Sequence, residues 1–267
     1  MPVETLEKGK KICIDFYKIS FKPTFNGQTK YGQGYYDFQE GGLAFLKPGQ
    51  VVFTPEDADS YIGLALYFHP DFIRNYPLGK SILRYGFFSY SVSEALFLSA
   101  REKEVITQLF ASIANELDTN TDQFSQDVLV SQIELLLNFS NRYYNRQFLT
   151  RKAINNDTIG ELDRVLDDYF DSGAGLKNGG ITVNTICEQL QVSQRYLSDM
   201  LKSLTGFTTQ QYIQNALIEK AKQKLSATNL SVSEIAYELG FEHPQSFSKL
   251  FKSKTNLSPL AFRTRFN

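Results

Sequence analysis

Two short segments concentrate the side chains able to form paired, directional hydrogen bonds. One carries Gln194, Arg195, Ser198, Asp199 and Lys202; the other carries His243, Gln245, Ser246 and Lys249, with Lys252 and Lys254 just beyond. Arg offers a planar fork of donors, Gln a donor beside an acceptor, and Lys a compact charge with three donors. Groups of this kind hold and read a polar partner without making or breaking bonds. Bond-making chemistry has few candidates. The chain has 2 His (His69 and His243) and 2 Cys (Cys13 and Cys187), one of each in either half. That excludes a disulfide framework, a cysteine zinc site and a two-histidine catalytic centre. Asp57 and Asp59 in Pro55-Glu56-Asp57-Ala58-Asp59 read as a solvated loop. No nucleophile stands at a suitable spacing from a base, so the expectation is a protein that is not an enzyme and needs no metal or cofactor.

The elements that must position these side chains are legible from periodicity. Leu197, Met200, Leu201 and Leu204 in the first segment, and Phe247, Leu250 and Phe251 in the second, fall at helical spacing and are expected to be buried. The polar sets then point outward. A shorter helix precedes each segment, and the two pairs repeat one another. Ile181-Thr-Val-Asn-Thr-Ile-Cys-Glu-Gln-Leu190 matches Leu230-Ser-Val-Ser-Glu-Ile-Ala-Tyr-Glu-Leu239 at an offset of 49. Leu197-Ser-Asp-Met-Leu-Lys-Ser-Leu-Thr205 then matches Phe247-Ser-Lys-Leu-Phe-Lys-Ser-Lys-Thr255 at an offset of 50. The first helix of each copy offers Val183, Ile186 and Leu190, or Val232, Ile235 and Leu239, to a core, with the small residues Cys187 and Ala236 allowing close approach. Cys187 is thus a packing residue rather than a reactive thiol. The connections are Gln191-Val192-Ser193 and Gly240-Phe241-Glu242-His243, where Gly240 suits a positive φ. This is a helix-turn-helix pattern, twice, and the second helix of such a unit can enter a major groove ~12 Å wide.

Start signals punctuate the same region. Thr158 with Glu161, Thr208 with Gln211 and Ser231 with Glu234 fit the capping box, and Ser258-Pro259 supplies an N-cap and a preset first residue. The pattern predicts a helix near Thr158 to Phe170, a Gly-rich spacer from Ser172 to Gly180, and a linking helix across Thr209 to Ser226. Charge is divided as well. Net charge is −1 overall, yet residues 181–267 carry 10 Lys+Arg against 6 Asp+Glu, a mildly basic end on an acidic body.

The string Ile235-Ala-Tyr-Glu-Leu-Gly-Phe-Glu-His-Pro-Gln-Ser-Phe-Ser-Lys-Leu-Phe-Lys252, followed by Thr255, Leu257-Ser258-Pro259 and Phe262-Arg263, resembles the AraC/XylS family of bacterial transcription regulators. The family pattern there is I-A-x-x-x-G-F-x-x-x-S-x-F-x-x-x-F-K-x-x-x-G-x-S-P-x-x-[YF]-R. This chain departs with Asn256 in place of Gly, and Asn is the next best residue for a left-handed C-cap. The resemblance covers about Thr158 to Asn267. It implies that the second helix of each unit lies in a major groove of a double-stranded DNA operator, the linking helix setting their separation against a turn of ~34 Å. Base contacts are then expected from Gln194, Arg195, Ser198, Asp199, His243, Gln245, Ser246 and Lys249. Arg195 would fork onto guanine, Gln245 onto adenine, and Lys249 onto guanine or a phosphate. Phosphate contacts are expected from Thr182, Lys202, Ser231, Lys252 and Lys254, the two hydroxyl residues through helix N-termini. Asp199 stands where the family often has a basic residue, and Asn215 and Leu217 stand where arginines are frequent. A carboxylate near phosphates is unfavourable unless it accepts from cytosine or pairs with Arg195, so the first unit is expected to bind more weakly.

The other half reads differently. Ile12, Ile14 and Phe16 alternate; Gly27-Gln28-Thr29-Lys30 reads as a turn; Tyr35 to Phe38, Leu43 to Leu46, Val51 to Phe53 and Ile62 to Phe68 are strand-like. Val105, Ile106, Leu109, Phe110, Ile113 and Leu117, then Leu129, Ile133, Leu136, Leu137 and Tyr144, mark two amphipathic helices. The expected fold is α+β: an N-terminal cupin-like β-barrel with appended helices at 1–149, a linker at 150–157 (TRKAINND), and an all-α domain at 158–267 with two helix-turn-helix units joined by a linking helix. The resemblance implies a sensor that binds a small effector or mediates dimerisation, a homodimer contact through the helices near Arg101 to Leu149, and possible contact with RNA polymerase. Phe16, Tyr17, Tyr31, Tyr35, Phe45, Phe53 and Tyr61 are the candidate effector-pocket residues, although most suit a core equally. Gly42-Leu-Ala-Phe-Leu-Lys-Pro-Gly49 resembles a cupin fragment without its histidines, and isolated His69 reads as a satisfied loop residue, so no metal is expected. The N-terminus shows no apolar leader and no run suits a bilayer, so the expected setting is the cytoplasm. A regulator, expected to be an activator, is the favoured reading; the alternatives are a non-specific nucleic-acid or protein-interaction module, or a cupin-type enzyme with an accessory helical domain.

Overall fold

The computed structural model describes residues 11–22, 28–31, 34–37, 41–53, 63–91, 94–119, 122–150 and 152–265. The chain divides into two units, Met1–Thr150 and Arg151–Asn267. Strictly alternating burial in the first unit makes β2 (Tyr17–Lys22) the centre of a sheet: Tyr17, Ile19 and Phe21 face inward. It pairs antiparallel with β5 (Gly42–Leu46) and β7 (Leu64–Phe68), and β5 pairs with the two-residue β8 (Leu96–Phe97), giving the order β7-β2-β5-β8. Two separate ladders join β1 (Lys11–Cys13) to β6 (Val51–Phe53) and β3 (Gln28–Tyr31) to β4 (Gly34–Asp37).

Among the described residues this is an open four-stranded sheet and two ribbons, not the closed barrel expected. The reason lies at β8. The Phe97 amide donates to Gln147 Oε1 at 2.8 Å, and its carbonyl accepts from Arg146 Nη2 at 2.8 Å. Side chains of a helix thus take the edge groups that a further strand would need. The expected turn at Gly27–Lys30 is also corrected, because Gln28 to Lys30 lie in β3.

Behind β7 come two short helices, α1 (Pro70–Ile73) and α2 (Pro77–Ser81), then 3-10 turns at Ile82–Arg84 and Gly86–Ser89. His69 caps α1, its Nδ1 accepting from the Asp71 amide at 3.2 Å. The long helices α3 (Ala100–Asp118) and α4 (Ser125–Thr150) follow. Ser99 and Glu102 close a capping box at the start of α3, and Glu102 also pairs with Arg146 of α4 at 2.6 Å. The helices bury Ile106, Phe110 and Ile113, and Leu129, Ile133, Leu136, Leu137 and Tyr144. They pack onto the sheet: Phe110 meets Phe21 at 5.6 Å between ring centroids, and Tyr144 meets Phe45 at 6.2 Å. The apolar stripes are therefore used inside the unit.

The second unit is all helix: α5 (Lys152–Asp171), α6 (Ala174–Asn178), α7 (Val183–Leu190), α8 (Gln194–Thr205), α9 (Thr209–Ala227), α10 (Val232–Glu238), α11 (Pro244–Thr255) and α12 (Pro259–Arg263). Most of the stretch proposed as a linker forms the first turns of α5, and Thr158 is interior to that helix rather than its cap. The Gly-rich spacer contains α6, whose glycines allow contact with the second helix-turn-helix: a Cβ on Gly175 would collide with the Glu238 carbonyl, and one on Gly240 with the Gly179 carbonyl. No described helix is long and apolar enough to cross a membrane.

Candidate nucleic-acid interface

Each half of the repeat folds as a short capped helix, a tight turn and a longer helix. In the first, Thr182 caps α7, its hydroxyl accepting from the Thr185 amide at 3.2 Å. Gln191 then ends α7 in the left-handed region at φ 55°, and Ser193 caps α8 by accepting from the Tyr196 amide at 3.2 Å. In the second, Ser231 and Glu234 form a full capping box, Gly240 turns the chain at φ 87°, and Pro244 opens α11 without a side-chain cap from His243. Gly206 and Asn256 stop α8 and α11 with φ of 77° and 60°, so Asn256 fills the place of the family's Gly as expected.

Burial follows the periodicity. Leu197, Met200, Leu201, Phe247 and Phe251 are buried, as are Ile186, Cys187, Ile235, Ala236 and Leu239. Leu204, Leu250, Val183, Leu190 and Val232 are only half-buried, short of the expectation. Between the units runs α9, whose 19 residues span about 28 Å at 1.5 Å per residue. Leu217 lies in its buried face. Straps fix α9 to the scaffold. Tyr212 donates to Asp163 Oδ1 of α5 at 2.8 Å, and burial first, then that carboxylate, pushes its phenol far above the ordinary value. Lys220 reaches Asp171 at 2.5 Å and Asp167 at 3.6 Å; burial disfavours its charge, but the two carboxylates outweigh it and its pKa rises. Lys224 pairs with Glu238 of α10 at 2.8 Å.

The side chains expected to read bases are placed unequally. On α11, Gln245, Ser246 and Lys249 are exposed, beside exposed His243. On α8, Gln194 and Arg195 are exposed but engaged. Gln194 Nε2 donates to Asn184 Oδ1 of α7 at 2.9 Å, and Arg195 Nε donates to Asp199 Oδ2 at 3.0 Å. Ser198 is half-buried beside them. Among the phosphate candidates, Lys202 and Lys252 are exposed in the last turns of their helices. Lys254 instead donates to Asn215 Oδ1 of α9 at 3.0 Å. At Ser231 the backbone amide already donates to Glu234 Oε2 at 2.6 Å, which sets a carboxylate where a phosphate would lie. Thr182 has no such carboxylate at N3, only the Thr185 hydroxyl at 2.9 Å.

Sequence reasoning missed Asn184, whose role depends on a partner ten residues away, and the full part played by Arg263. Its Nε donates to the Leu225 carbonyl at 3.2 Å and its Nη2 to the Leu230 carbonyl at 2.6 Å, tying α12 to the link between α9 and α10. The family's terminal [YF]-R was the available signal: Phe262 packs on Phe251 at 5.5 Å while Arg263 satisfies carbonyls.

Of the effector-pocket candidates, Tyr17 and Phe45 are buried and both pack on Phe88, at 5.0 and 5.6 Å. Phe16 is 43% exposed and meets His69 edge-on. Tyr31, Tyr35 and Phe53 sit in β3, β4 and β6, and Tyr61 lies outside the described residues.

Two helix-turn-helix units on one scaffold, each with its second helix bearing exposed polar side chains, define a DNA-binding class of protein. The helix-turn-helix domain family matches residues 186–265. The chain is 33% identical over 115 residues to the HTH-type transcriptional activator RhaR of an Enterobacter species, covering 43% of this chain and 41% of that protein. It is 32% identical over 140 residues to the activator RhaS of Salmonella newport, covering 52% of this chain and 45% of that one. It thus spans less than half the length of these curated relatives. Among solved structures, the C-terminal domain of the response regulator yesN from Fusobacterium nucleatum is 30% identical, over 38% of this chain and 95% of that one, with a TM-score of 0.32. ToxT from Vibrio cholerae aligns over 97% of this chain and 95% of its own at 14% identity and a TM-score of 0.35. Residues 186–265 thus carry a helix-turn-helix domain, and this part of the chain is similar to these transcriptional activators.

Proposed function

We propose that this chain is a sequence-specific transcription activator in the cytoplasm, and not an enzyme. The observation that carries the reading is the pair of similarly built units on α9, each presenting a polar outer face on its second helix. In this reading α8 and α11 enter successive major grooves of one operator. Gln245, Ser246, Lys249 and His243 read bases from α11, and Arg195, Gln194, Ser198 and Asp199 form the reading face of α8. Lys202, Lys252 and the Thr182 helix start hold phosphates, with Lys254 and Ser231 in lesser roles because each is already engaged. The first unit acts as a cupin-like sensor for a small effector, and the activator contacts RNA polymerase. A homodimer would use the helices near Arg101 to Leu149, where Leu117, Phe124, Val128, Leu135 and Leu149 are apolar and exposed.

The test is selection of bound sequences from random duplex DNA by the full chain, repeated with candidate metabolites and followed by competition with unrelated DNA. A recurring sequence with two half-sites about one turn apart supports the reading. Binding that competitor removes equally from every sequence replaces it with a non-specific nucleic-acid module.

A further inference from the structure

In the N-terminal half of α8, Arg195 and Asp199 stand one turn apart and are joined Nε to Oδ2 at 3.0 Å, with side chains 47% and 30% exposed. The internal repeat sets Asp199 against Lys249 of α11, so the same helical position carries opposite charges in the two units. An arginine on a DNA-facing helix has two competing partners. It can fork onto the O6 and N7 of a guanine, or it can fall onto a phosphate, which holds it equally well at any sequence. The contact to Asp199 bears on that choice in two ways. It uses the Nε donor and fixes the guanidinium plane, leaving the Nη donors as the fork. It also sets a carboxylate beside the guanidinium, which a phosphate oxygen cannot approach without like-charge repulsion, whereas the edge of a guanine carries no net charge.

We propose that Asp199 is the positioning residue that directs Arg195 to a guanine and withholds it from phosphate, so that the first unit contributes sequence preference rather than general attraction to DNA. This rests on the reading of α8 as a groove-entering helix. It gives the position an unusual sign: removing the carboxylate tightens binding to unrelated DNA while blurring the operator.

The experiment uses the full chain and its selected duplex, with titrations at several salt concentrations and a set of duplexes varied one base pair at a time. The wild-type chain shows a guanine preference at one position of the first half-site, of ~10-fold or more over the other bases. Arg195→Ala removes it. Asp199→Ala also removes most of it, binds unrelated DNA ~5–10-fold more tightly near 0.1 M salt, and steepens the dependence of log affinity on log salt by about one. Asp199→Asn, which still accepts from Nε but carries no charge, restores part of the preference while keeping the steeper salt dependence. Damage to the fold would weaken binding to every sequence, the opposite of the expected gain. If Asp199→Ala keeps the guanine preference, or leaves the salt slope unchanged, the proposal is overturned while operator recognition stands. A wild-type chain that selects no sequence overturns both.

Discussion

The two helix-turn-helix units are copies in register, yet they stabilise the same shape by different means. At the start of the first helix, Thr182 and Thr185 occupy the places of Ser231 and Glu234, so a hydroxyl pair stands where the second unit has a capping box. At the turn, Gln191 takes a left-handed conformation unaided, whereas Gly240 takes it under the backbone of Gly179. On the outer face, the first unit ties Gln194 to Asn184 and Arg195 to Asp199, while the second leaves Gln245, Ser246 and Lys249 exposed. Backbone fit fixes the second unit and frees its side chains; side-chain contacts order the first.

The largest effect should come from the turn of the second unit. Gly240→Ala meets both a left-handed φ and the Gly179 carbonyl, and is expected to destabilise the second unit by ~2–4 kcal/mol in urea denaturation. Gly175→Ala, facing the Glu238 carbonyl across the same seam, should follow it. A second unit insensitive to both would mean that α6 does not support it, and the contrast drawn above would fail. Binding comes next. Lys249→Ala is expected to weaken operator affinity by ~1–3 kcal/mol, and Lys252→Ala to reduce the salt slope by about one without changing base preference. Equal losses at all sequences for Lys249→Ala would move that residue from reading to phosphate holding.

These contrasts were unevenly legible in the sequence. The repeat, the capping residues around Thr208, Ser231 and Ser258, and the left-handed stop at Asn256 rest on local rules, and the structure follows them. Thr158 with Glu161 satisfies the same local rule and misleads, because a hydroxyl with an acid three residues on is equally compatible with a helix interior, and α5 begins earlier, at Lys152. The glycines from Gly173 to Gly180 read as a spacer because their purpose lies in backbone some 60 residues away, at Glu238 and Gly240. Among the described residues the sheet stays open at β8 for the same reason: Arg146 and Gln147, about 50 residues further on, take its edge. Of the outer-face residues, sequence gave the direction each points but not that Asn184 engages Gln194 or that Asn215 engages Lys254.

The capping difference gives a smaller effect with a pH signature. Ser231→Ala should cost ~1 kcal/mol through loss of the N-cap. The Ser231 backbone amide, then its hydroxyl, hold the Glu234 carboxyl below the ordinary carboxylate range. A carboxyl with a depressed folded pKa contributes stability that is full above its unfolded value and disappears as pH falls through the folded value. Stability of the wild-type chain should therefore decline with acid below about pH 4.3, the ordinary glutamate value, more steeply than that of Glu234→Gln. Thr185 does not titrate, so its replacement should leave the acid limb untouched. An unchanged slope in Glu234→Gln would show that the capping box is not formed in solution.

The smallest expected effect is the most direct comparison of the two turns. Gln191 holds φ 55° with an exposed side chain, and its own amide bonds back to the Cys187 carbonyl. A left-handed conformation costs a residue with a Cβ ~1–2 kcal/mol, and glycine avoids that at the expense of ~0.5–1 kcal/mol of added freedom in the unfolded chain. Gln191→Gly should therefore stabilise the helical domain (Arg151–Asn267) by ~0.5 kcal/mol, the reverse in sign of Gly240→Ala. Operator affinity and base preference should not change, because the residue lies between the two helices and not on the outer face of α8. If Gln191→Gly destabilises instead, the side chain makes a contact that holds the first turn, and the first unit would then depend on side-chain contacts even where the second depends on bare backbone.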